Sequence, residues 1–147
     1  MKVKFKLLLS STVEPRVAVG DAGADLYAPN SAILPATGRM KMAMGLAVEI
    51  PDGYMGLLLP RSSCAQEGWS VESPPIDSSY RGEIHAMLHN RGQKTWRINT
   101  GDRIVQLVIV PCLQIVPEFV SELSSTERGA NGFGSTGKGL RIAGNSG

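Results

Sequence analysis

The sequence predicts an all-β domain of the sandwich or barrel class. Short runs of alternating apolar and polar residues recur along the chain, turn signals separate them, and only two stretches suit even a turn or two of helix. The 147 residues, with 17 Gly and 9 Pro, fit one domain that buries a core while turning often. No internal repeat or linker divides it.

The first run, MKVKFKLLL, sets Val3, Phe5 and Leu7 on one face and Lys2, Lys4 and Lys6 on the other. That alternation predicts a half-buried strand over 2–9. Its apolar stretch over 7–9 is too short for the core of a signal peptide. After GDAG, strands are expected over 32–34, 40–44, 46–50 and 54–59, with LPATG and PDG as turns. SSCAQE, over 62–67, reads as a short helix. Strands over 83–88, 95–98, 104–112 and 115–119 complete the set, with NRGQ and NTGD between them. SELSS, over 121–125, is the second helical candidate. From Thr126 the chain is Gly-rich and apolar-poor, so the expected division is a β domain over 1–125 and a flexible C-terminal arm over 126–147.

Bulk charge narrows the function. Fifteen Lys and Arg against thirteen Asp and Glu leave +2, too little for a binder of duplex nucleic acid or of a membrane surface. A small anion needs only a local positive patch. Cys64 and Cys112 lack CxxC spacing and read as free thiols of a reduced compartment, so a soluble intracellular protein is expected. No segment reaches membrane-spanning length. His85 and His89 share a strand face, but no third ligand has suitable spacing, so they read as a surface pair.

Several short motifs carry chemistry. GFGSTGKG, over 132–139, nearly matches a phosphate-binding loop, yet Gly139 replaces the required Ser or Thr and too little chain follows for the helix and crossover. Its glycines and the hydroxyls of Ser135 and Thr136 still suit phosphate. PRSSCAQEG follows an apolar strand, and Ser62 or Ser63 can cap the helix start beside Arg61. In NTGDRIVQLVIV a polar Gln106 sits among apolar strand residues and needs a partner. DAGADLYAP places two acids among small residues, and SPPIDSSYRGEI places Asp77 and Tyr80 just after two prolines.

Taken in order, DAGADLYAP, PRSSCAQEG, IDSSYRGEI, GDRIVQLVI and RGANGFGSTG resemble the five motifs of the trimeric dUTPase family over Asp21 to Gly137. The resemblance implies a distorted jelly roll, or β-clip barrel, and a homotrimer with sites shared between subunits. It implies hydrolysis of dUTP to dUMP and pyrophosphate with Mg²⁺ as cofactor. Carried over by position, Asp77 is the base that activates water, and Tyr80 packs under the deoxyribose. Ile76 belongs to the base-binding segment. Arg61, Ser62, Ser63 and Gln106 meet the phosphates. Arg128, Gly134, Ser135 and Thr136 clasp the triphosphate, and Phe133 stacks on uracil. Asp25 supports the metal through water, the ion being held mainly by the triphosphate. One carboxylate base, guanidinium groups and a bridging cation are what in-line attack at the α-phosphorus requires.

The chain also departs from the family pattern. Where Gly commonly precedes the acid by three residues, Pro74 and Pro75 stand, and neither has an N–H to offer a base. Ser79 takes the place of a second acid, Ser63-Cys64 that of Gly-Leu, and Asn131 that of a frequent Gly. The related dCTP deaminases carry a catalytic Glu where this chain has Met87, whose thioether cannot shuttle protons. A second alternative, a nucleotide-binding or regulatory protein with weakened catalysis, finds support only in the prolines and Ser79.

Overall fold

The computed structural model describes residues 1–130. Their contacts form a compact unit over 1–114, and a second unit begins at Ile115. The first unit holds every strand of the described residues: β1 (Lys4–Leu7), β2 (Ala24–Tyr27), β3 (Ala32–Leu34), β4 (Arg39–Glu49), β5 (Tyr54–Pro60), β6 (Trp69–Val71), β7 (Glu83–Asn90), β8 (Trp96–Ile98) and β9 (Arg103–Pro111). Among the described residues there is one helix, α1 (Ser62–Gln66), after β5. The strands make three sheets in the orders β1-β4-β7-β6, β2-β9-β5 and β3-β8, and every pairing is antiparallel.

The sheets follow the alternation in the sequence. Along β7, Ile84, Ala86 and Leu88 are buried, while Glu83, His85, Met87 and His89 line the outer face. β4 continues the core with Met42, Met44, Leu46 and Val48, and β9 adds Val105 and Leu107. Asn90 is fully buried at the end of β7 and satisfied there. Its amide donates to the carbonyls of Pro35 (2.8 Å) and Lys94 (2.7 Å) and accepts from Gly92 N–H (3.0 Å).

Two of the expected strands are one. Residues 40–44 and 46–50 join in β4 through a bulge at Gly45, whose φ is +69°. There the ladder shifts from Ala43↔His85 to Ala47↔Glu83. Gly45 C=O accepts from Leu8 N–H (2.7 Å) and the Thr12 hydroxyl (3.0 Å), and its N–H donates to Glu83 Oε1 (2.8 Å). The bulge is thus pinned by three partners, and Thr12 is buried to make its bond.

Other boundaries moved for identifiable reasons. β2 and β6 were not expected, because ADLY and WSV are too short to show a period. The expected strand over 115–119 is absent. Its apolar residues find no ladder partner among the described residues, and Ile115, Val116 and Phe119 are exposed. Residues 121–125 form no helix. Neither Ser62 nor Ser63 caps α1: the N-cap is Arg61 in an extended conformation, so both hydroxyls fall inside the first turn.

On the outer face of the first sheet, Glu72 gathers a histidine and two arginines. His89 Nδ1 and Arg91 Nη2 each lie 2.9 Å from its Oε1, and Arg39 Nη2 lies 3.7 Å from Oε2. The His89 hydrogen bond, followed by that from Arg91, lowers the Glu72 pKa from 4.5 to about 2.

Two outcomes follow. A Cβ at residue 45 would run into the Thr12 hydroxyl in a left-handed backbone conformation, so Gly45→Ala should lose roughly 2–4 kcal/mol in urea denaturation. Because Glu72 is more acidic folded than unfolded, its contribution is fully present above pH 4.5 and lost as pH falls toward 2. Glu72→Gln should therefore melt below the parent at pH 7, and the gap should close between pH 4.5 and 2.

Candidate active site

Strand register assembles the first cluster. β9 is the middle strand of its sheet, and Gln106 pairs with Asp25 of β2 on one side and Leu59 of β5 on the other. Directly opposite residues share a face, so the first and fourth motifs meet there. The end of β5 then delivers Pro60 and Arg61 to the same place. Gln106 Nε2 donates to the Pro60 carbonyl (3.2 Å), which answers the need of a polar residue inside an apolar strand.

Asp25 is held at its backbone as well. Its N–H and C=O both bond Arg16, at 2.8 and 3.0 Å. Its carboxylate, 14% exposed, takes Arg61 Nε on Oδ1 at 3.0 Å and Arg103 Nη1 on Oδ2 at 3.1 Å, with Arg16 Nη1 3.9 Å from Oδ2. Asp25, Arg61, Ser62 and Gln106 line a cavity of about 210 Å³ with Asp21, Ala22 and Gly23. Three guanidinium groups, those of Arg16, Arg61 and Arg103, face the carboxylates of Asp21 and Asp25, which leaves one positive charge in excess at this corner and suits an anionic ligand. Ser63 does not join it; it lines a separate cavity with Cys64, Trp69 and Trp96. Burial raises the Cys64 thiol pKa, which keeps it protonated and unreactive at neutral pH.

The third motif forms a second cluster. Ile76 is bound to Gly56 of β5 by two backbone hydrogen bonds, 2.8 and 2.9 Å, and its side chain is buried. Asp77, the next residue, is exposed, and its carbonyl accepts from Tyr80 N–H (3.1 Å) to close a turn. The Tyr80 hydroxyl donates to the Glu83 carbonyl at the start of β7 (2.9 Å). Gly82 permits this: a Cβ there would strike the Tyr80 phenol. Pro74, Pro75, Ile76, Asp77 and Tyr80 line a cavity of about 440 Å³ with His85 and Met87 of β7 and Lys41 of β4. Its lining is mainly apolar, with the Asp77 carboxylate on the anchored turn and that of Glu83 at the start of β7. The two cavities share no lining residue.

The expected site residues thus fall into two groups: Asp25, Arg61, Ser62 and Gln106 in one, and Ile76, Asp77 and Tyr80 in the other. Arg128 lies in the second unit. Phe133, Gly134, Ser135 and Thr136 lie outside the described residues. Arg16, Arg103, Lys41, His85 and Met87 were not singled out from the sequence as site residues. Arg103 was the legible one, standing three residues before Gln106 in a motif already quoted.

Among the described residues no group of three or more His, Cys, Asp or Glu could hold a metal ion. No helix among them is long and apolar enough to cross a membrane.

Known proteins match this architecture. A family model for dUTPase matches residues 10–137. The deoxyuridine 5'-triphosphate nucleotidohydrolase of Paramecium bursaria Chlorella virus 1 is 39% identical over 133 residues, 90% of this chain and 94% of the relative. That of Nautilia profundicola is 42% identical over 142 residues, 94% of this chain and all of the relative. A mutant dUTPase of Staphylococcus bacteriophage 80alpha, solved with dUpNHpp, superposes with a TM-score of 0.84 at 29% identity, covering 93% of this chain and 99% of that one. A variant dUTPase from the S. aureus phage phi11, described with a structural Mg(II) ion, gives 0.76 at 26% identity over 83% of this chain and 98% of that one. The all-β architecture is therefore the dUTPase jelly roll, and the chain belongs to the dUTPase family.

Proposed function

We propose that the protein hydrolyses dUTP to dUMP and pyrophosphate, which limits uracil incorporation into DNA and supplies dUMP for thymidylate synthesis. The observation that carries this reading is the pair of unlike cavities. One is largely apolar, with Asp77 and Tyr80 at its wall; the other is polar, with Arg61, Ser62 and Gln106. A nucleoside triphosphate has the same two ends. Because the two cavities share no residue, a homotrimer in which one subunit offers the base end and another the phosphate end completes the site. The exposed apolar residues Ile115, Val116 and Phe119 are consistent with burial on assembly.

In this mechanism Tyr80 packs against the deoxyribose and leaves no space for a 2′-hydroxyl. The Asp77 carboxylate takes a proton from a water placed in line with the α-phosphorus. The water oxygen bonds to that phosphorus as the bond to the α–β bridging oxygen breaks, and pyrophosphate leaves with that oxygen. Arg61, Ser62 and Gln106 hold the phosphate chain and disperse the charge that develops. By the family resemblance, Arg128, Ser135 and Thr136 are assigned to the triphosphate and Phe133 to the uracil ring.

The residues at the polar cavity fit Mg²⁺ that arrives with the triphosphate. Among the described residues, Asp21 and Asp25 are its lining carboxylates, and both Asp25 oxygens already take guanidinium groups. Such a corner suits an ion that keeps most of its waters, with Asp25 as an outer partner. When bound, the ion would neutralise phosphate charge.

Pyrophosphate release across dUTP, dTTP, dCTP and UTP tests the reading: release from dUTP in Mg²⁺ should far exceed the others, and none from dUTP overturns it. Asp77→Asn keeps shape and removes the base, so kcat should fall at least a hundredfold while dUTP binding persists; normal turnover would reject Asp77 as base. Replacing Pro74-Pro75 by Gly-Val frees the unfolded chain and should cost about 1–2 kcal/mol of stability. The dUTP KM should stay within about threefold, since the prolines offer only carbonyls to the base.

A further inference from the structure

Arg103 reaches Asp25 against the parity of its strand. Residues 103 and 106 are three apart, so in a regular strand they face opposite ways. The register slips between Leu26 and Tyr27: Leu26 pairs with Val105, but Tyr27 pairs with Arg103 and skips Ile104. The extra residue turns Arg103 back toward the Asp25 face, a common use of a bulge beside a site. The result is the 3.1 Å contact between Arg103 Nη1 and Asp25 Oδ2.

Arg103 does not line the phosphate cavity. It lines the neighbouring one with Trp69, Trp96 and Asp102. Its effect on the phosphate end must therefore pass through Asp25. With Oδ2 taken, Oδ1 accepts from Arg61 Nε at 3.0 Å. That bond uses the inner nitrogen of the guanidinium and leaves its two outer amino groups for other acceptors. Without Arg103, Asp25 would keep only Arg16, at 3.9 Å, near Oδ2. The freed oxygen would then compete for those outer N–H groups and place an unbalanced negative charge at the rim of an anion site.

Resting on the functional reading above, we propose that Arg103 is a positioning residue for triphosphate: by occupying Asp25 Oδ2 it holds the Arg61 guanidinium oriented for phosphate. It acts on the phosphate end alone, so the base end should not sense its loss.

The test uses full-length Arg103→Met and Arg103→Lys, with thermal melting, steady-state kinetics, and calorimetric binding of dUMP and of α,β-imido-dUTP with Mg²⁺ and with EDTA. Removing one partner of a partly exposed charged hydrogen bond should weaken analogue binding, and raise the dUTP KM, about tenfold in Arg103→Met. The weakening should persist in EDTA, dUMP affinity should stay within twofold, and kcat should change less than KM. Arg103→Lys should restore most of the loss. In an Asp25→Asn background, Arg103→Met should add nothing further, because the carboxylate it balances is gone. Unchanged analogue affinity, equal losses for dUMP and analogue, or additive effects in the double variant would each overturn the proposal. If Arg103→Met melts far below the parent, the lysine variant and its double with Asp25→Asn decide by the same criteria. Pyrophosphate release by the parent separates failure of this proposal from failure of the functional reading.

Discussion

The register of β9 is the constraint on which the phosphate end depends. It is paired on both edges, so Asp25, Gln106 and Leu59 stand in one row across the sheet. Side chains alternate with period two, and a slip of one residue would exchange the faces of the whole strand. Val105 would then face the cavity and Gln106 the core, where Val105 and Leu107 are now almost fully buried. Burial of those two side chains stabilises the fold by several kcal/mol, and the same energy fixes where Gln106 points. The site's polar geometry is thus a by-product of apolar packing one residue to either side.

β5 carries both clusters of one chain without their touching. Its Gly56 holds Ile76, and so anchors the turn carrying Asp77; its last residue, Pro60, accepts from Gln106 and hands the chain to Arg61. Both functional clusters hang from one strand four residues apart, on a backbone bonded along its length to β9. Side chains on such scaffolding hold geometry better than side chains on free loops.

Legibility in the sequence followed the strength of the local signal. Long alternating runs such as the one in β7 declared themselves, because one face is buried and the other wet. β2 did not: Ala24 and Asp25 are poor strand residues, and their pairing with β9 overrides that preference. The run over 115–119 misled for the opposite reason, since apolar alternation makes a strand only where an edge receives it. Ordered motifs singled out Asp25, Arg61 and Gln106, but not that Asp25 spends both oxygens on arginines. That fact depends on a one-residue bulge, and single-sequence periodicity carries no trace of a bulge that leaves both strands intact.

The prolines of the third motif show how a local oddity is absorbed. Pro74 and Pro75 cannot join a ladder, and the hairpin does not ask them to. Ser73 closes it with its side chain, the hydroxyl accepting from Met87 N–H (2.9 Å) and lying 3.4 Å from the His85 carbonyl as donor. Ile76 closes the other end on Gly56. Between these two fastenings the prolines need only fit in space. Strand alternation adds a further consequence. Met87 turns both its N–H and its C=O toward the hairpin, bonding Ser73 and Glu72. His85, two residues earlier, therefore directs its N–H to the same side. A uracil in this cavity would find acceptors in the proline carbonyls for its N3–H and a donor in His85 N–H for one of its carbonyl oxygens. The donor and acceptor duties are then divided between the proline segment and β7, which is why a chain without N–H groups at 74 and 75 still suits a base with both kinds of edge.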